Sequence, residues 1–315
     1  MGGYVVAVVG ATATGKSGLG IGLAQALGGE VINADSMQLY RGMDIGTAKL
    51  PAAERGGVPH HLLDIWDVKQ PASVAEYQLL ARAAIDDIQA RGLVPILVGG
   101  SGLYIRGALD KLSFPRTDPE CRARLEAELA ETGPGPLHER LARLDPEAAA
   151  AILPSNGRRI VRALEVIELS GEPFSATLPG YESLYPAVQT GIRVDRETLD
   201  ARIAARAERM WQAGFVAEVR ELEQRGLRDG LTASRALGYR EVLRYLAGEC
   251  SLEDALQDTV RGTRKFARRQ ESWFRRDPRV HWLDGTRGAA DLRAAALNTI
   301  GTCGLPRGTA PKTTS

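Results

Sequence analysis

Eight residues near the start of the 315-residue chain carry a specific chemistry: Gly10-Ala11-Thr12-Ala13-Thr14-Gly15-Lys16-Ser17. The two glycines let the main chain curl so that successive N–H groups face one point. A helix opening at Lys16 adds its positive dipole end there. Lys16 contributes a point charge and the Ser17 hydroxyl is placed for Mg²⁺. The pattern predicts a polyphosphate grip. It does not choose between small-molecule kinases, nucleotide kinases, NTPases and diphosphate-using transferases. A second candidate is Asp35 in Ala34-Asp35-Ser36, just past a short apolar run. A carboxylate there is a turn former, a Mg²⁺ ligand or a general base.

The elements around these residues predict how they meet. Val5–Val9 and Val94–Val98 are unbroken apolar runs, and Glu30–Asn33 is a shorter one. Helical spacing covers Lys16–Leu27 and Val74–Arg91 between them. Apolar runs separated by helices predict a parallel α/β sheet covered on both faces. Ligands of such sheets sit outside the carboxyl ends of the strands. Gly10, Asp35 and Gly99 should therefore converge on one crevice.

From Thr117 onward the pattern is helical. Thr117-Asp118-Pro119-Glu120 predicts a capping box with Thr117 as the cap. Helices are expected over Cys121–Glu131, Leu137–Leu144, Pro146–Ile152 and Arg158–Ser170, then a connection over Pro173–Pro186. Gln189–Val194 reads as a return strand, followed by amphipathic helices (Leu199, Ile203, Met210; Val216, Val219, Leu222). The organisation predicted is a P-loop α/β core, 1–116 and 188–305, interrupted by a helical domain, 117–187, with a disordered tail, 306–315.

Composition sets the remaining bounds. With 40 basic and 39 acidic residues the net charge is +1, and 44% hydrophobic content is ordinary for a folded protein. No apolar run approaches the roughly 20 residues of a membrane helix, and Tyr4–Val9 lacks the basic leader of a signal peptide. Cys121, Cys250 and Cys303 are widely spaced and odd in number, which favours a reducing compartment over disulfides or a thiolate metal site. A cytoplasmic protein is expected. Of the 40 basic residues 34 are arginine. That suits phosphate recognition, although a GC-rich genome produces the same bias.

The block Asp35-Ser36-Met37-Gln38-Leu39-Tyr40-Arg41-Gly42-Met43-Asp44-Ile45-Gly46-Thr47-Ala48-Lys49 resembles the signature of bacterial tRNA dimethylallyltransferases, also called tRNA isopentenyltransferases. Other blocks follow in that family's order: the phosphate loop, Pro59-His60-His61-Leu62, Gly99-Gly100-Ser101-Gly102-Leu103-Tyr104, and Arg159-Ile160-Val161-Arg162-Ala163-Leu164-Glu165. Ala236-Leu237-Gly238-Tyr239-Arg240-Glu241 and Thr263 to Gln270 with Trp273 complete the series. The chain departs from the family's commonest residues at Ala11, Thr14 and Ser101, keeping hydroxyl chemistry at the last two.

The resemblance implies transfer of a dimethylallyl group from its diphosphate to the exocyclic amine of an adenosine at tRNA position 37, with Mg²⁺ as cofactor. It implies Asp35 as base, with Lys16 and Ser101 also in the catalytic set. It gives Gly10, Ala11, Thr12, Ala13, Thr14, Gly15, Lys16 and Ser17 to the donor diphosphate, with Ser17 on the metal. Arg235 is the candidate second cation on the diphosphate. Asp35, Ser36, Met37, Gln38, Ser101, Arg159, Ile160, Val161, Arg162 and Ala163 are expected to contact tRNA. The enzyme is expected to be a monomer.

Residues 261–280 fit an RNA partner: Arg261, Arg264, Lys265, Arg268, Arg269, Arg275, Arg276 and Arg279 interleave with Phe266, Trp273 and Phe274. The aromatics are expected to form a core stripe and the arginines to face RNA. His60 and His61, adjacent in an extended segment, point to opposite faces and are expected to pack and hydrogen-bond rather than share a metal. Two other readings fit the loop and Asp35: a P-loop kinase of a small hydroxylated metabolite, and a non-catalytic RNA-binding protein. The first lacks an identifiable lid arginine cluster; the intact Gly-Lys-Ser and Asp35 argue against the second.

Overall fold

The computed structural model describes residues 3–115, 117–174 and 180–303. The tail expected to be disordered, 306–315, lies outside them. In chain order the elements are β1 (Val5–Gly10), α1 (Lys16–Leu27), β2 (Gly29–Asn33), β3 (His60–His61), α2 (Val74–Ala90), β4 (Val94–Gly99) and α3 (Gly102–Leu109). Four helices follow: α4 (Pro119–Thr132), α5 (Pro134–Leu144), α6 (Pro146–Ala151) and α7 (Gly157–Ser170). Then come β5 (Ala187–Arg193), α8 (Arg196–Gln212), α9 (Phe215–Gln224), α10 (Tyr239–Leu246), α11 (Leu252–Phe274), β6 (Val280–Asp284) and α12 (Ala289–Thr302).

The six strands form one sheet in the order β3-β2-β4-β1-β5-β6, and every pair is parallel. Alternation of side chains along a strand explains why β1 is apolar throughout. Val5, Ala7 and Val9 pack on one face with Tyr77, Ala81, Ile85 and Ile88 of α2. Val6 and Val8 pack on the other with Leu19, Leu23 and Leu27 of α1 and Leu292, Ala296 and Ile300 of α12. Both faces of the sheet are therefore dry, as continuous Val and Ile runs require. From β1 the chain passes to β2 on one side, and β5 lies on the other. That makes the carboxyl end of β1 the reversal point where α/β sheets bind ligands.

Two edge strands were not expected. β3 is two residues long, and β6 buries Val280 and Leu283 while His281 faces water, so neither is a continuous apolar run.

The chain divides into two compact units: one runs to Lys111 and resumes at Ser183, the other is Leu112–Glu182. The boundaries precede the expected 117 and 187. The physical reason is an antiparallel bridge between Asp110 and Ser183 that pairs the two crossings inside the sheet-bearing unit. Asp110, fully buried, is held by Arg279 Nη1 at 2.6 Å and Arg106 Nε at 2.6 Å. Arg279 also donates to Ser183 Oγ at 2.8 Å. The second unit has its own core of Leu125, Leu137, Leu141, Ile152, Ile160 and Leu164. Its first helix is capped by Asp118, whose carboxylate accepts from Cys121 N, and not by Thr117. Pro119 is pre-shaped for the first helical position, which makes its predecessor the cap.

Candidate active site

Three strand ends supply the site's framework. Ala34 N donates to Val98 O at 2.8 Å and Ser101 N to Ala34 O at 3.4 Å, tying the segment after β2 to the segment after β4. A side chain at Gly99 would lie 2.2 Å from Ala34 O, so this approach requires glycine.

The phosphate loop wraps the end of β1. Gly10, Ala13 and Gly15 have φ of 136°, 62° and 97°. Ala13 thus holds a left-handed conformation that costs an L-residue about 1–2 kcal/mol. The loop is braced from inside: Thr14 Oγ1 donates to Ala11 O at 2.8 Å and Lys16 Nζ to the same oxygen at 2.6 Å. Burial pushes the Lys16 ammonium down to about 8, with Asp35 opposing that shift and Arg206 adding to it. Ser17 lies exposed in the first turn of α1.

Asp35 faces this cradle from the end of β2. Its N–H donates to Asn33 Oδ1 at 2.9 Å and its Oδ1 accepts from Met37 N at 3.0 Å, a short turn that orients the carboxylate. No other hydrogen bond engages that carboxylate among the described residues. Its charge is felt by both Lys16 and Arg206, so the three groups share one field. Ser101, the residue preceding α3, accepts from Ser36 N at 3.4 Å.

The fifteen-residue block Asp35–Lys49 is held as a preformed wall. Gln38 Nε2 donates to Thr47 O at 3.1 Å. Lys49, buried, bridges Asp44 and Asp64 at 2.6 Å each. Glu218 accepts from Asp44, Ile45 and Gly46 N–H groups and from Tyr239 Oη. Met37 packs against the core, which leaves Asp35, Ser36 and Gln38 as the polar groups of the segment.

Arg235 is exposed, in the short turn Ala233–Arg235. The arginine at the cradle is Arg206 of α8, whose Nη1 lies 3.4 Å from Thr12 Oγ1 and whose Nη2 lies 3.4 Å from Thr47 O. Burial lowers its pKa, with Asp35 acting in the opposite direction. A sequence signal existed: Leu199, Ile203, Arg206 and Met210 share a helical stripe, so an arginine occupies a position where the pattern calls for an apolar residue.

The Arg159–Ala163 segment belongs to the helical unit. Ile160, Val161 and Ala163 are in its core, so their side chains are not available to a partner. Arg159 is exposed. Arg162 pairs with buried Glu165 at 2.7 Å and donates to Pro115 O at 2.7 Å.

The basic segment also divides. Phe274 is buried, whereas Trp273 is 36% exposed, against the expected core stripe. Arg279 is committed to Asp110 and Asp277 rather than to an outer face. Lys265, Arg268, Arg269 and Arg276 are exposed. His60 Nδ1 bonds Val58 O at 2.8 Å, and His61 Nε2 bonds Glu30 Oε2 at 2.6 Å. No cluster of three or more His, Cys, Asp or Glu suited to a metal occurs among the described residues. A Mg²⁺ ion at Ser17 would therefore depend on substrate oxygens and water, the usual habit of this ion.

A family model described as IPP transferase matches residues 38–277. The chain belongs to this family. An IPP transferase family relative from Streptomyces avermitilis, named tRNA dimethylallyltransferase, is 70% identical over 288 residues, covering 91% of this chain and 92% of its own. Another of that name, from Thermobifida fusca, is 69% identical over 284 residues, with 89% of each chain covered. Among solved structures, the tRNA isopentenylpyrophosphate transferase of Bacillus halodurans is similar with a TM-score of 0.71 and 40% identity, covering 96% of this chain and 98% of that one. A eukaryotic dimethylallyltransferase acting on tRNA has a TM-score of 0.83 at 28% identity, covering 98% of this chain and 81% of that chain. The P-loop α/β fold of this family member is shared along nearly its whole length.

Proposed function

We propose that this protein transfers a dimethylallyl group from dimethylallyl diphosphate to the N6 amine of adenosine at tRNA position 37, releasing diphosphate. The observation that carries the reading is the setting of Asp35: a carboxylate at the end of β2 with a single hydrogen bond among the described residues, from Met37 N, beside a phosphate loop that Lys16 and Arg206 both contact. A kinase and a prenyltransferase would share the cradle. Membership of the IPP transferase family favours the second.

The chemistry follows from the groups present. An adenine amine is a weak nucleophile because its lone pair is delocalised into the ring. Asp35 takes an amine proton as the C–N bond forms, and the allylic C–O bond breaks toward the cradle. Main-chain N–H groups of Ala13–Ser17, the Lys16 ammonium and the Arg206 guanidinium receive the charge that develops on the leaving diphosphate. Ser17 would hold Mg²⁺ together with diphosphate oxygens, and the ion supplies further neutralisation there. Ser101 and the Asp35–Gln38 segment line the acceptor side. Because the crevice is walled by fixed loops, the adenine must leave its stack to reach Asp35.

Exposed Arg159 and the outward cations of α11 suit the phosphates of the RNA. The Leu112–Glu182 unit is assigned to tRNA binding, the working form to a monomer and the compartment to the cytoplasm. No helix among the described residues is long and apolar enough to cross a membrane. Incubation with dimethylallyl diphosphate, Mg²⁺ and unmodified tRNA, followed by nucleoside mass analysis, tests the reading. One added five-carbon unit on adenosine is expected; turnover of ATP onto a small hydroxyl, with no prenylated nucleoside, would overturn it.

A further inference from the structure

Gln270 lies on α11, only 6% exposed, at the point where the loops after β1 and β4 come together. Its Oε1 accepts from Thr12 N at 2.9 Å. Its Nε2 donates to Gly100 O at 2.9 Å. The backbone chemistry at the two ends fixes which way the amide points, since an N–H can only donate and a carbonyl can only accept. The approach is close: a Cβ at Gly100 would lie 2.2 Å from Gln270 Nε2, and one at Gly102 would lie 2.0 Å from Trp273 Nε1. Gln270 and Trp273 are three residues apart on the helix and so share a face. Two glycines of the Gly99–Gly102 segment thus exist to admit α11.

We infer that Gln270 is a positioning residue that sets the spacing between the diphosphate cradle and the acceptor loop. The inference rests on the prenyl-transfer reading, and deepens it. One end of the amide holds the main chain of Thr12, whose hydroxyl is held by Arg206. The other end holds the residue before Ser101, whose hydroxyl accepts from Ser36 beside Asp35. A single side chain therefore spans the gap between the leaving-group side and the nucleophile side. Glutamate offers acceptors but no donor at neutral pH, and methionine only a weak acceptor, so neither serves both ends as the amide does. Gln270 does not touch the reacting atoms. It acts through the two loops, and reaction rates respond steeply to small displacements of bound groups.

The test uses the full chain, tRNA and dimethylallyl diphosphate, with inorganic diphosphate as a second probe. Gln270→Met should lower kcat about 10–100-fold at saturating substrates and weaken inorganic diphosphate binding about tenfold by calorimetry. Circular dichroism should show the fold retained. Relative to wild type, Gln270→Glu should be impaired at about pH 8 and regain rate as the pH is lowered toward about 5. Burial at this 6% exposed position raises an introduced carboxyl above its usual value of about 4.3, and the protonated form regains the donor for Gly100 O. Wild-type-like kcat and diphosphate binding in folded Gln270→Met overturns the inference, as does a loss of activity that tracks only the folded fraction. If Gln270→Met fails to fold, a Gln270→Glu to wild-type rate ratio that is flat with pH overturns it instead. A wild-type enzyme that makes no prenylated tRNA would sink the functional reading alone, since diphosphate binding by the variants still decides the role of Gln270.

Discussion

Arg206 Nη1 lies 3.4 Å from Thr12 Oγ1, at the lip of the phosphate loop, although nearly two hundred residues separate the two in sequence. Its guanidinium contacts the loop, whereas Arg235 is exposed. Arg206→Ala should reduce kcat/KM for the prenyl donor by about 10²–10³-fold, the range for loss of one preorganised charge-stabilising donor. Arg235→Ala should leave the donor's KM within a few-fold of wild type. Steady-state kinetics with the donor varied separates the two, and the reverse ranking would return the role to Arg235.

Asp35→Asn is a cleaner probe of the base than Asp35→Ala. The amide keeps an oxygen for the Met37 N–H that the carboxylate now accepts, so the turn survives while the basicity is lost. Turnover should fall about 10²–10⁴-fold, with tRNA binding by filter retention little changed. A near wild-type rate would assign proton removal to another group.

Lys16 gives a prediction about protons. Burial brings its ammonium down to about 8 in the free protein, and a bound diphosphate would raise it again. The Lys16-dependent part of the proton uptake on donor binding, wild type minus Lys16→Met, should therefore be close to half a proton at about pH 8 and almost none at about pH 6.5. Titration calorimetry in buffers of different ionisation heat reads this directly. Uptake that persists unchanged in Lys16→Met would place the proton elsewhere.

Acid stability should depend on Glu30. The Arg91 guanidinium holds its carboxyl at about 2, against the opposing effect of burial and with help from His61. A depressed carboxyl stabilises the fold fully above the unfolded value, near 4.5, and that contribution disappears as pH falls through about 2. Because the Arg91 end of the pair is open to water, screening holds its size to about 1 kcal/mol. Urea midpoints measured from pH 7 to pH 2 should fall more steeply for wild type than for Glu30→Gln, and parallel curves would discount the pair.

The parts of the molecule legible in the sequence are those built from contiguous residues. The runs at Val5–Val9 and Val94–Val98 read as buried strands because both of their faces are covered. The cradle read as a cradle because all its donors lie within eight residues. What escaped was made by distant segments. Arg206 and Gln270 reach the loop from α8 and α11, and nothing in the spacing of either helix names Thr12 as a partner. Ile160, Val161 and Ala163 lie in a motif-like block, yet helical periodicity puts them in a core. β3 and β6 are edge strands, one too short and one too polar for a hydrophobic run to announce them.

The bridge between Asp110 and Ser183 has a wider consequence. Where the chain leaves the sheet-bearing unit and where it returns are neighbours, stapled by Arg279. The sheet-bearing unit thus closes on itself across the excursion, so the intervening segment can change in length or content without rewiring the strands. Exchange of the segment between those two positions among relatives should yield hybrids that keep prenyl chemistry while changing which RNAs they choose.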